Sequence, residues 1–188
     1  MDNNDLFQNG QKLFVEGKHQ ESIDCFTKSI EISGKSELAF LSRGVAYLKL
    51  HKVDEAINDF SMVVKLNDSN FRAFFYRGMA NMAKENYADA ISDFDSAIKL
   101  QSDNGAAYFA RGTSYANLGN MEEAEKNIRT ALICSESTMQ GFADHYGMFR
   151  TQFERARAFM TGESDAPQIY LTDKERNLVK KWLEDTSH

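Results

Sequence analysis

Apolar residues recur along the chain at steps of three and four, which is the spacing of one face of an α-helix. Residues 37–66 contain two such stretches in succession, one built around Gly44 and the next around Phe60. Polar runs such as residues 67–70 separate the stretches and contain residue types that end one helix and cap the next. The pattern therefore predicts pairs of amphipathic helices joined by short turns.

The predicted helix pair repeats with a period of 34 residues. The dipeptide Arg-Gly recurs at residues 43–44, 77–78 and 111–112, and the same interval separates Phe26, Phe60, Phe94 and Ile128, and likewise Ser22, Ala56, Ala90 and Ala124. The units are residues 3–36, 37–70, 71–104 and 105–138. We expect each Arg-Gly glycine to face the small residue of the second helix, so that the two backbones approach closely. One pair cannot bury both of its faces, so the units are expected to stack.

Glycine at the eighth position, a small residue at the twentieth and an apolar, mostly aromatic residue at the twenty-fourth of a 34-residue unit resemble the tetratricopeptide repeat. The resemblance covers residues 3–138. It implies an all-α fold, a right-handed superhelical solenoid of four helix-turn-helix repeats. It also implies a concave groove, lined by the first helix of each pair, that holds a peptide or helix of a partner.

Several positions depart from the family pattern. The usual proline at the thirty-second position is absent from every unit. The glycine of the turn within each pair is kept as Gly17 and Gly119 but is replaced by His51 and Glu85. Asn81 stands where a tyrosine is expected.

Residues 139–188 leave the 34-residue period. Residues 139–161 are predicted to form a long amphipathic helix, whose aromatic stripe we interpret as a cap on the last repeat rather than a partner-binding helix. Residues 162–171 form a linker, and residues 172–185 form a final amphipathic helix that starts with a capping box. This last helix has three possible docking places: the preceding helix, the protein's own groove, or a second copy.

The resemblance carries the partner-binding groove onto first-helix positions that are mostly apolar. They are Phe7, Gln11, Phe14, Leu41, Ser42, Val45, Leu48, Arg72, Phe75, Tyr76, Met79, Met82, Phe109 and Thr113, with Leu38 at a further lining position. A large exposed apolar patch marks an interaction site, so we expect an apolar peptide or an amphipathic helix to bind there. An aspartate at Phe75 should then abolish partner capture without unfolding the protein. The alternative is that superhelical curvature, or residues 139–188, bury part of this stripe.

One subclass of the family grips acidic C-terminal tails of chaperones with a clamp of Lys, Asn and Arg. The matching positions here are Phe7, Gln11, Ser42, Arg72 and Tyr76. Only Arg72 is basic and no asparagine is present, so the sequence argues against a carboxylate clamp.

Arg43, Arg77 and Arg111 replace an apolar residue typical of the seventh position. They form either an anion-binding stripe or ion pairs with the second helix of their own unit. The recurring Asp-Phe dipeptides at Asp59 and Asp93 favour ion pairs.

The composition of the chain argues against several classes of function. The 188 residues carry a net charge of −6, which argues against nucleic-acid and membrane-surface binding. The four histidines show no metal-ligand spacing, and there is no phosphate-binding loop or nucleophile elbow, so we expect no metal, no cofactor and no enzyme activity. Two distant cysteines, a polar start and no apolar run of about 20 residues predict a cytoplasmic protein.

The sequence thus predicts a cytoplasmic interaction module: an adaptor or co-chaperone-like scaffold that binds a segment of another protein. The alternative is a self-association module, a possible homodimer, in which the C-terminal helix fills its own groove or that of another copy.

Overall fold

The computed structural model describes residues 2–134, which form eight α-helices and no strand. These helices are α1 Asn3–Val15, α2 His19–Ser33, α3 Glu37–Lys49, α4 Val53–Leu66, α5 Phe71–Ala83, α6 Tyr87–Leu100, α7 Gly105–Asn117 and α8 Met121–Ile133. The chain divides into two compact units, Met1–Ala131 and Leu132–His188. The all-α fold of stacked helix pairs is confirmed, whereas the predicted helices 139–161 and 172–185 and the linker 162–171 lie outside the described residues.

The first helix of each pair begins with a side chain that caps its free backbone N–H groups. Asp2 accepts from the backbone N–H of Asp5 at 2.8 Å, and the Asp5 side chain accepts in return from the backbone N–H of Asp2 in a capping box. Ser36, Asn70 and Asn104 accept from backbone N–H groups three residues later at 3.2, 3.2 and 3.1 Å. A cap of this kind stabilises a helix by about 1 kcal/mol, so the polar runs fix where α1, α3, α5 and α7 begin.

In the first three pairs the two helices meet where an aromatic ring of the second helix packs on a glycine of the first. A Cβ placed on Gly78 would lie 2.7 Å from Cε1 of Phe94. The rings of Phe26, Phe60 and Phe94 are almost fully buried. The glycine of the first helix therefore makes room for the ring: the nearest neighbours of Gly44 and Gly78 are ring atoms rather than the expected alanines, whereas the carbonyl oxygen of Ala124 lies 3.1 Å from a Cβ on Gly112.

The turn within each pair has the same left-handed backbone in all four repeats. The φ angles are 78° at Gly17, 57° at His51, 62° at Glu85 and 81° at Gly119. Only glycine adopts this conformation without steric cost, and other residues lose about 1 kcal/mol or more. The turn is thus retained at His51 and Glu85 although the glycine is not.

The first helices form one layer of the array. Each helix from α1 to α6 packs on the next along the chain, and α1, α3, α5 and α7 also contact one another in succession. Gly112 of α7 lies against Ile128 of α8. Contacts among the second helices α2, α4 and α6 are sparser. The first helices are therefore the more closely spaced layer, which is the inner side of a curved stack.

Candidate partner-binding surface

We call the fourteen groove positions predicted above, together with Leu38, the inner stripe, and the structure gives them unequal exposure. Leu41, Phe75, Met79 and Phe109 are buried. Phe7, Phe14, Ser42, Val45, Leu48, Tyr76, Met82 and Thr113 are half-buried, and Gln11 and Arg72 are exposed. The accessible part of the stripe is therefore narrower than the predicted set, and the role of these residues in binding stays a prediction.

The fifth position of each repeat contributes to the core as well as to the stripe. The ring of Phe75 lies 5.9 Å from the ring of Phe94 in the second helix of the same repeat, and Phe7 lies 5.6 Å from Phe26 in the same way. Phe75 is only 4% exposed. An aspartate there would bury a charge and destabilise the fold, contrary to the expectation that it acts on partner capture alone.

Helices α3 and α5 bring accessible apolar side chains to the inner layer. Leu38, in the first turn of α3, is 61% exposed. Val45, Leu48 and Tyr76 pack with one side against the core cluster that contains Phe60 and remain half-buried. Because α3 contacts α5, these side chains give the inner layer an apolar character.

Arg43 and Arg77, at the seventh position of their repeats, form the predicted ion pairs with Asp59 and Asp93. Nε and Nη2 of Arg43 donate to the two carboxylate oxygens of Asp59 at 2.8 and 2.7 Å. Arg77 repeats this arrangement on Asp93, with its Nη2 at 2.6 Å. Both pairs are largely buried, so these guanidinium groups are not an open anion-binding stripe.

Each of these arginines also donates a hydrogen bond to a side chain of the preceding repeat, which the sequence did not predict. Nη1 of Arg43 donates to the hydroxyl of Thr27 at 3.0 Å, and Nη1 of Arg77 donates to the hydroxyl of Ser61 at 3.3 Å. We call Arg43, Arg77 and Arg111 the arginine ladder. It joins three helices at every junction and therefore fixes the register between repeats.

In the fourth repeat the charged and the neutral partner of the arginine exchange places. Nε of Arg111 donates to the neutral amide oxygen of Asn127 at 2.7 Å, and its Nη1 forms an ion pair with Asp95 of the preceding repeat. The carboxylate of this rung thus lies across the junction instead of within the pair. An aromatic ring from the fourth position lies against each guanidinium, at 5.6 Å for Phe40 and Phe74 and 5.3 Å for Tyr108.

Burial controls the protonation of the second-repeat pair. It raises the pKa of the Asp59 carboxyl, and the hydrogen bonds and charge of Arg43 oppose this only in part. The same hydrogen bonds raise the pKa of the Arg43 guanidinium, so that side chain stays charged. In the third repeat the amide of Asn81 donates to Asp93 at 3.0 Å. Asn81, which looked like a lost tyrosine in the sequence, is thus a buried partner of the ladder.

Residues 2–134 were also compared with the requirements of a metal site, a membrane span and a disulfide. That part of the chain has no group of three His, Cys, Asp or Glu side chains that could hold a metal ion. None of its helices is long and apolar enough to cross a membrane. Cys25 and Cys134 are free thiols, and Cys25 accepts a hydrogen bond from the amide of Asn9 at 3.5 Å.

Stacked helix pairs with a polar ladder and an inner apolar stripe define the class of helical repeat scaffolds. The sequence model of the tetratricopeptide repeat matches residues 41–104 and 81–137. Together the matches span residues 41–137, which are 97 of the 188 residues. The chain belongs to the tetratricopeptide repeat family, whose members are typically non-catalytic scaffolds for protein interactions. No curated protein sequence matches it.

Solved structures with the same fold include MamA, with a TM-score of 0.70, 21% identity, and coverage of 74% of this chain and 81% of MamA. The first TPR of Spaghetti (RPAP3), bound to the HSP90 peptide SRMEEVD, has a TM-score of 0.61 and 29% identity, and the match covers 62% of this chain and 93% of that one. The Arabidopsis OM64 TPR domain has a TM-score of 0.59 and 21% identity, with 61% and 94% covered. These structures share the helical repeat fold with this chain.

Proposed function

We propose that this protein is an adaptor that binds an apolar peptide or an amphipathic helix of another protein along the inner stripe. The observation that carries the proposal is the partly exposed apolar surface on the adjoining helices α3 and α5, above all Leu38 at 61% exposure. Removing one such side chain from water on binding gives about 1.5–3 kcal/mol. We place the adaptor in the cytoplasm because its two cysteines are free thiols.

The chemistry of the stripe argues for an apolar ligand over an acidic chain terminus. The RPAP3 repeat domain binds the acidic peptide SRMEEVD. At the five positions that match a carboxylate clamp, this chain has four uncharged side chains and the single cation Arg72. A co-chaperone-like role would therefore rest on apolar contacts, and SRMEEVD is a suitable contrasting ligand.

Leu38 and Ile32 offer a matched pair of variants for the test. Their exposures are 61% and 60%, but Leu38 lies on the inner layer and Ile32 lies in the last turn of α2. The full chain is used to select binders from a displayed peptide library, and the dissociation constants of selected peptides are then measured by fluorescence anisotropy. Selected peptides should be rich in apolar residues, and Leu38→Ser should weaken their binding about tenfold. Ile32→Ser should leave their binding unchanged.

Two outcomes would contradict the proposal. One is tight binding of SRMEEVD in place of apolar peptides, which would indicate a carboxylate clamp. The other is an equal loss of affinity in Leu38→Ser and Ile32→Ser, which would place the binding surface elsewhere. The second candidate function, self-association through the C-terminal segment, is suggested by the apolar residues around Trp182.

A further inference from the structure

Arg72 differs from the other arginines of residues 2–134 because its side chain has no ion pair or hydrogen bond within that range. Arg43, Arg77, Arg111 and Arg129 all bind carboxylates. Arg72 is exposed and lies in the first turn of α5. Steps of four and seven residues place it on the same side of α5 as Tyr76 and Met79. The inner stripe thus contains an available guanidinium beside its apolar side chains.

Negative charge is largely absent from the helices around Arg72. Helices α5 and α7 have no acidic residue, although the whole chain has a net charge of −6. The single acidic residue of α3, Glu37, accepts hydrogen bonds from the amides of Asn67 and Asn70 at 3.0 and 3.3 Å. The acidic residues of α4 and α6 lie on second helices, where Glu55 and Asp89 are exposed. An acidic ligand is therefore repelled by the outer layer and accepted at the inner one.

We infer that the bound segment carries an internal Asp or Glu whose carboxylate pairs with Arg72 while its apolar side chains contact the rest of the stripe. This inference rests on the proposed function and specifies the partner as an acidic amphipathic segment. A planar guanidinium suits a side-chain carboxylate, which it binds through two parallel hydrogen bonds. A free chain terminus would add a second negative group, and Gln11, Ser42 and Tyr76 supply no second cation for it.

The positions along α5 also orient the segment. Arg72 lies in the first turn of the helix and Met82 in the last, ten residues apart, which corresponds to about 15 Å along the axis. Leu48 occupies the same last-turn position in α3. The carboxylate therefore lies at the edge of the bound segment that faces the start of the first helices. Leu38 holds the same first-turn position in α3, so apolar side chains of the segment lie beside the carboxylate and extend from there toward the opposite edge.

Selection with a charge-reversed variant tests this inference. Internal segments are displayed with their C-termini fused to a carrier, so that no free terminal carboxylate is present, and are selected on the full chain and on Arg72→Glu. The unchanged chain should enrich apolar segments that contain Asp or Glu. Arg72→Glu should weaken their binding at least tenfold and should instead enrich Lys or Arg at that place, with the apolar positions unchanged. The matched control is Lys65→Glu, which alters an exposed cation of α4 and should change neither selection nor affinity.

The outcomes separate this inference from the proposed function. Enrichment of apolar segments without an acidic preference, or unchanged affinity in Arg72→Glu, overturns the pairing with Arg72 and leaves the apolar binding surface intact. Failure to enrich apolar segments at all overturns both. Circular dichroism of Arg72→Glu should show the helix content of the unchanged chain, because the substituted side chain is exposed.

Discussion

A Cβ atom on Gly44 would lie 2.6 Å from Cε1 of Phe60, so the ring of the second helix packs directly on the backbone of the first. The same relationship joins Gly10 to Phe26 at 2.7 Å. The fourth repeat is looser, because the nearest atom to a Cβ on Gly112 is a flexible side-chain carbon of Ile128 at 3.0 Å. In the first three repeats, the 34-residue period of small and large residues therefore places a ring of the second helix on the backbone of the first.

Gly44→Ala should lower the free energy of unfolding by about 1–3 kcal/mol, because the ring of Phe60 must move in a close-packed core. This cost exceeds the gain of about 1 kcal/mol that alanine brings to a helix interior. Gly112→Ala is the matched control and should cost less, since its nearest neighbours, Ile128 and the carbonyl oxygen of Ala124, lie at 3.0 and 3.1 Å and need to move less than the ring of Phe60. Urea unfolding followed by circular dichroism measures both variants. A Gly44→Ala protein at least as stable as the unchanged chain would refute the contact.

Glycine, which the first and fourth repeats have in this turn, should stabilise the protein at His51 and Glu85. His51→Gly and Glu85→Gly should each raise the free energy of unfolding by about 1 kcal/mol, because φ is positive at both positions. His51→Ala keeps the unfavourable backbone and should give no gain, which separates the backbone effect from loss of the imidazole. Conversely, Gly17→Ala should cost about 1 kcal/mol, although its Cβ would contact nothing. Thermal unfolding of the four variants would settle the matter.

The ion pairs of the arginine ladder should contribute more to the free energy of unfolding where they are buried than where they are exposed. Asp59→Ala removes the carboxylate from a largely buried Arg43 and should cost about 3 kcal/mol, because the guanidinium is left uncompensated. Asp95→Ala removes the partner of Arg111 at a side chain that is 53% exposed and should cost less than about 1 kcal/mol. Chemical unfolding compares the two. Equal costs would mean that the exposed rung contributes as much as the buried one.

The pKa of Asp59 gives a prediction with a definite sign. Because burial raises the folded pKa above its usual value of 3.8, the native state binds this proton more tightly than the unfolded chain does. The contribution of Asp59 to stability is therefore fully present below about pH 3.8 and is lost as pH rises through the folded pKa. The free energy of unfolding of the unchanged chain, relative to that of Asp59→Asn, should therefore decrease as the pH rises from about 3.8 through the folded pKa. An increase over the same window would show that Arg43 outweighs burial.

Much of the fold could be predicted from the sequence because one period specifies every helix pair. The caps at Asn70 and Asn104 and the ion pairs of Arg43 and Arg77 also followed from residue type and spacing. The bonds to Thr27 and Ser61 did not, because they join the seventh position of one repeat to the twenty-fifth of the preceding one. A comparison of equivalent positions cannot show such a link.

The sequence also could not predict how deeply each side chain of the inner stripe is buried. Helical periodicity gives the direction of a side chain around its helix but not how closely the next helix approaches. Phe75 and Tyr76 are neighbours on the same side of α5, yet one is buried and the other half-buried. Asn81 was missed for a related reason: its value depends on Asp93 twelve residues later, which only the folded pair brings within 3.0 Å.

The last prediction separates the adaptor from its self-associating rival. The chain has a mass of 21.4 kDa, and light scattering should give the monomer mass both for the full chain and after deletion of residues 164–188. An adaptor whose inner stripe receives another protein needs no second copy, so peptide affinity should not depend on dimerisation. A dimer that becomes a monomer on deletion would support the rival, because the apolar residues around Trp182 would then hold two copies together. A monomer whose affinity for selected peptides rises on deletion would show instead that this segment competes for the stripe within one chain.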